Sequence, residues 1–129
     1  MITEEMKMAM QGMIPSVIAT CDAEGMPNTT VISQTYFVDE NHIAISHQFF
    51  NKTIRNIRAV PKACLVVTHP EEGNQWKMQV EYSHSETEGE LFENMSMQLE
   101  AIASMVGMED VFQLKAAEVF KVLSVEHLY

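Results

Sequence analysis

The sequence predicts a mainly β (α+β) domain in which six or seven short antiparallel strands close into a compact barrel flanked by two or three helices. Three observations carry this. Val, Ile and Thr gather in short runs separated by turn residues. Trp76, Met78, Val80 and Tyr82 alternate strictly with Lys77, Gln79, Glu81 and Ser83, the period of a strand with one buried face. Strands and helices do not follow one another in a regular βαβ order. With 129 residues, 47% of them hydrophobic, the chain can bury one core and is too short for two independent domains.

At the N-terminus, Thr3 is placed to cap a short helix with Glu4 and Glu5 in its first turn, a stripe of Met6, Met10 and Met13, and Gly12 as its stop. Ser16–Cys21 reads as a strand, residues 22–25 as a Gly-bearing turn, and residues 26–33 as the returning strand. Residues 36–38 and 43–46 flank a second turn, and two consecutive hairpins read as a meander. Residues 51–60 suit a helix with Ile54 and Ile57 on its apolar face, stopped before Pro61. An apolar strand over 63–68 and a loop over 69–75 precede the alternating strand. Thr87 and Glu90 have the spacing of a capping box for a helix carrying Leu91, Met95, Leu99 and Ile102 and ending near Gly107. Residues 118–127 read as the last strand.

Charge narrows the partners. Eight Lys and Arg against eighteen Asp and Glu leave a net charge of −10, which repels a nucleic-acid backbone and an anionic membrane surface alike. No apolar run approaches the roughly 20 residues of a membrane span, and the N-terminus lacks the basic-then-apolar order of a signal peptide, so the expected location is cytoplasmic. Cys21 and Cys64 lie inside apolar runs and read as reduced, buried thiols. The histidines (His42, His47, His69, His84 and His127) show neither the helical pairing nor the CxxC companion of a zinc site, and no metal is expected. No hydrolase or nucleotide-loop motif is present. The eleven Met residues read as core filler or as a soft lining for a flat ligand or a dimer seam.

Four of the eight basic residues, Lys52, Arg55, Arg58 and Lys62, fall within eleven positions. Lys52 and Thr53 stand at the start of the predicted helix, where free N–H groups and the dipole favour an anion. A bound phosphate and a solvated basic face both account for the cluster.

The order Ile14-Pro-Ser-Val-Ile-Ala-Thr20, Asp22-x-x-Gly25-x-Pro27-Asn28 and Asn51-Lys52-Thr53-x-x-Asn56-Ile57 resembles the pyridoxamine 5'-phosphate oxidase-like FMN-binding split barrels. Ser85-Glu-Thr-Glu-Gly89 with Leu91-Phe92, and Val119-Phe120-Lys121-Val122, resemble a branch in which this barrel also occurs beside signalling domains. The resemblance implies an antiparallel split β-barrel and a homodimer with one FMN per subunit in two equivalent clefts between protomers. It implies phosphate ligands at Thr30, Ser33 and Gln34, at Ser46, and at Asn51, Lys52 and Thr53, with Gln79 facing the flavin. Hydroxyls, a Lys and helix amides suit a phosphate, and an amide side chain suits an isoalloxazine edge. The implied activity is an oxidoreductase exchanging a hydride or electrons between FMN and a small molecule; the alternative is a non-catalytic flavin-binding or redox-sensing module. Oxidation of pyridoxamine phosphate is not expected, because Asn51 stands where those oxidases carry an Arg and no basic residue follows Lys121.

Overall fold

Two tight hairpins start the barrel, and they end up at opposite edges of one sheet. In a computed structural model describing residues 1–10, 14–48, 52–108 and 113–128, β1 (Ser16–Cys21) pairs with β2 (Pro27–Ile32), and β3 (Thr35–Asp39) with β4 (His42–His47). Adding β5 (Lys62–Thr68), β6 (Gln75–Glu86) and β7 (Ala116–His127) gives seven strands in the order β2-β1-β5-β6-β7-β4-β3, every pairing antiparallel. The expected meander is therefore corrected: β2 and β3 follow each other in the chain yet are the two edges of the sheet. Only Ser33 and Gln34 separate them. Three Cα steps reach about 11 Å, so the sheet must curl until its edges nearly meet, leaving a seam between β2 and β3.

The barrel interior follows from strand periodicity. Ile18, Leu65 and Met78 are cross-strand neighbours, as are Ile43 and Phe120, and all five are buried. Helix α1 (Glu4–Ala9) contributes Met6 and Ala9 to this core, and α2 (Lys52–Ala59) contributes Ile54 and Ile57. Helix α3 (Glu90–Met105) lies outside, where Met95 and Leu99 cover Ala44, Ala117 and Val119 of β4 and β7.

Local chemistry explains most boundaries. Thr3 Oγ1 accepts from Met6 N at 3.3 Å and caps α1, which ends at Ala9; Gly12 and Met13 lie outside the described residues. The capping box on Thr87 is not formed. β6 runs on to Glu86, and the N-cap of α3 is Gly89, at φ 97° and with no side-chain cap. The left-handed backbone there suits Gly, which has no Cβ to clash. The cysteines also need correction. Cys64 alternates with inward Ala63 and Leu65, and Cys21 follows inward Thr20, so both thiols sit half-buried on the outer side of the sheet and are free. Among the described residues no helix is long and apolar enough to cross a membrane.

Candidate functional site

The corner that joins the two sheet edges gathers polar side chains that the core cannot use. Ser46 N donates to Gln34 O at 3.3 Å, tying the end of β4 to the corner. Gln48 Nε2 donates to Ser33 Oγ at 2.6 Å and to Ser46 Oγ at 3.0 Å, so the structure brings these two serines together through an amide that the sequence did not single out. Ser46 and Gln48 are buried, and Gln48 Oε1 is a buried acceptor with no partner among the described residues.

Four residues beyond Gln48, α2 begins at Lys52. Lys52, Arg55 and Arg58 are exposed, while Thr53, Ile54, Asn56 and Ile57 are buried. The helix thus turns its cations outward and its apolar face into the barrel. Asn56 Nδ2 donates to Thr20 Oγ1 at 3.0 Å and fixes α2 against β1. Asn51 lies outside the described residues.

The other predicted residues are placed differently. Both amide protons of Gln34 are used on α3, donating to Met95 O at 3.0 Å and to Gln98 Oε1 at 2.7 Å, so this side chain anchors a helix and has no donor left for a phosphate. Thr30 lies opposite Ile18 on the core-facing side of β2, half-buried. Gln79 is exposed on the outer face of β6, its Nε2 3.8 Å from Cys64 Sγ, and lines a shallow depression of about 230 Å³ with Ala19, Cys21, Lys62 and Cys64. Burial pushes the Cys64 thiol up in pKa, partly opposed by Lys77, so it forms a weakly polar wall.

Gln79 and Ser46 do not meet within one chain. Ser46 pairs with Ala117 and Gln79 with Ser124, positions seven residues apart on β7. At ~3.3 Å per residue that is about 23 Å along the strand.

A buried carboxyl was missed by sequence reasoning. Glu118 is fully buried on β7; its Oε1 accepts from Tyr82 OH at 2.9 Å and from Ser85 Oγ at 2.5 Å, and its Oε2 lies 3.2 Å from His47 Nδ1. Burial raises the Tyr82 pKa; the bond from Ser85 works against this and the nearby Glu118 adds to it. The available signal was a lone acidic residue inside the run Ala116-Ala117-Glu118-Val119-Phe120, since buried acids are rare without partners.

A curled seven-stranded antiparallel sheet, split along one seam, plugged by two short helices and covered outside by a third, defines a split β-barrel with a polar corner beside a cationic helix start. The chain belongs to the pyridoxamine 5'-phosphate oxidase family, whose model matches residues 2–123. Among solved structures it is similar to an FMN-binding protein from Syntrophomonas wolfei subsp. wolfei (TM-score 0.79, 21% identity, covering 99% of this chain and 86% of that one). It is also similar to HupZ of Group A Streptococcus (TM-score 0.73, 23% identity, 99% and 94% covered). A third similar structure is HutZ, the heme storage protein from Vibrio cholerae (TM-score 0.65, 17% identity, 98% and 94% covered). These likenesses concern the fold. No curated protein matches the chain.

Proposed function

We propose that this protein binds FMN in two clefts shared by a homodimer and exchanges a hydride or electrons between the flavin and a small molecule. The observation that carries the reading is the pair of hydroxyls on Ser33 and Ser46, held together by Gln48 four residues ahead of the start of α2. Two hydroxyls, the Lys52 ammonium and the unpaired N–H groups of a helix start fit an acceptor-rich anion such as a phosphate. Ser33, Ser46, Lys52 and Thr53 would hold the phosphate, and Thr30, half-buried on β2, is a further proposed ligand.

Gln79 and its depression would receive the flavin edge from the second copy, which accounts for a separation that one protomer does not bridge. An apolar outer face supports a second copy: Val17 and Val31, cross-strand neighbours, are 40% and 62% exposed. Bound FMN supplies the redox chemistry, and the chain's contribution is to bind, orient and desolvate it. Asn51, which stands where the pyridoxamine phosphate oxidases carry an Arg, argues for a substrate other than pyridoxamine phosphate.

The purified protein should be yellow, with a flavin spectrum and a released ligand of FMN mass. A Soret band, as for a haem protein, or a deazaflavin mass would overturn the cofactor assignment. Steady turnover of a reductant and acceptor pair distinguishes the oxidoreductase from a flavin-binding module that performs none.

Two further outcomes are expected. Light scattering should give twice 14.6 kDa, and a strict monomer that binds FMN tightly would rule out the shared cleft. Ser46→Val keeps strand propensity and similar bulk while deleting one hydroxyl. FMN affinity should fall by about tenfold, the value of a hydrogen bond to a charged group, with circular dichroism unchanged. Undiminished FMN binding would remove Ser46 from the site.

A further inference from the structure

On the outer side of the sheet, β3 and the first turns of α3 form an open cavity of about 330 Å³, lined by Tyr36, Phe37, Val38, Glu90, Leu91 and Asn94 and sharing no residue with the proposed flavin site. We propose that it binds an α-amino amide, a primary ammonium next to an amide on an apolar side chain, as in the first residue of a peptide. Tyr36 and Val38 pack with Leu91 on the outer core, whereas the Phe37 ring belongs to the barrel interior, where the Lys7 ammonium lies 4.2 Å from its centre. Phe37 therefore offers this cavity its main chain. β3 is the last strand of the sheet. Ser46 N donates to Gln34 O, so the bonded pairs of this antiparallel ladder are Gln34 with Ser46 and Tyr36 with Ala44, and the N–H and C=O of Phe37 point to the unpaired edge. One donor beside one acceptor on an extended strand is the complement of a single amide.

The side chains complete the match. The Tyr36 hydroxyl, the Asn94 amide and the Glu90 carboxylate end in polar groups with no partner among the described residues. Tyr36 and Asn94 are half-buried, and Glu90 is exposed at the rim. Glu88 and Glu93 stand on either side of Glu90 in the chain, and α3 contains no Lys or Arg. Three carboxylates outweigh the roughly half positive charge of a helix start, so the mouth attracts a cation. In the proposed complex the ligand's ammonium meets Glu90, its amide meets the Phe37 main chain, and its side chain covers Tyr36, Val38 and Leu91. The volume is at the small end of ligand sites, which suits a ligand of this size.

The test titrates the isotope-labelled full chain with L-leucinamide and follows the backbone amide signals by NMR. Saturable shifts should appear at Phe37, Glu90, Leu91 and Asn94. N-acetyl-L-leucinamide keeps the amide and the side chain but has no charge; it should bind about fivefold weaker or worse, the loss of roughly one charge-assisted hydrogen bond at an exposed rim. Added salt should narrow the difference between the two probes. Glu90→Gln, nearly isosteric and at an exposed position, should weaken leucinamide by a similar factor and leave the acetylated probe unchanged. L-leucyl-glycinamide distinguishes two sources of the ligand: tighter binding than leucinamide identifies a peptide end, and equal binding a free amino amide, both in keeping with the proposal. No saturable shift, shifts confined to other elements, equal affinity for leucinamide and its acetylated form, or undiminished leucinamide binding in Glu90→Gln would overturn it. The comparison of the two probes on the wild-type protein needs no variant to fold.

Discussion

Lys52→Ala should weaken FMN binding by about tenfold or somewhat more and leave riboflavin binding nearly unchanged. Lys52 is exposed at the first position of α2, beside the buried Thr53 and four residues after the amide that holds Ser33 and Ser46. In the proposed site an ammonium, hydroxyls and a helix start all act on one phosphate, and a single charge-assisted hydrogen bond contributes roughly 1.5–3 kcal/mol. At 1.4 kcal/mol per factor of ten, the lower end is about tenfold. Solvent exposure of the Lys places the effect near that lower end. Riboflavin lacks the phosphate, so the difference between the two ligands isolates the interaction from general damage to the barrel. Parallel titrations of both flavins against wild type and variant decide it; equal losses, or none for FMN, would leave Lys52, Arg55 and Arg58 as a solvated basic face.

Glu118→Ala should destabilise the fold by about 2–4 kcal/mol, because the variant leaves the donors of Tyr82 and Ser85 and the ring of His47 without the acceptor they share, and opens a cavity in the barrel wall. For a domain of this length that corresponds to a melting temperature lower by roughly 10 °C. Glu118→Gln retains one acceptor and the volume, and should cost about half as much. Urea and thermal melts of the three proteins give the comparison. An alanine variant that melts with wild type would mean that desolvating the carboxyl offsets its hydrogen bonds, the known weakness of buried polar groups as stabilisers.

Glu118 and Gln48 also show where sequence reading stops. The strands were legible because their signal is local. Alternation of Trp76, Met78 and Val80 with Lys77 and Gln79 is the burial alternation of β6, and Ser16–Cys21 has the same bounds in both readings. Thr3 was legible as a cap because its partner, Met6, is three residues away. The capping box failed on an equally local pattern, because β7 continued the pairing of β6 through Glu86 and carried the helix start to Gly89. At the corner beside the candidate site the start of α2 was legible, whereas the hydrogen-bond partners of Ser33, Gln34 and Ser46 were not.

What the sequence by itself determined is the β-rich class, the alternating faces, the turns and the concentration of positive charge at the start of α2, all set by interactions within a few residues. What only the tertiary structure decided is which distant groups meet. Gln34 spends its amide on α3, 61 and 64 residues away, and Glu118 collects donors 33, 36 and 71 residues distant. The two edges of the sheet are brought together by a two-residue corner. Spacing rules for helices and strands reach about four residues. Long-range pairings are chosen by closure of the whole barrel, where every strand must bury its inward face at once, so no single segment records them.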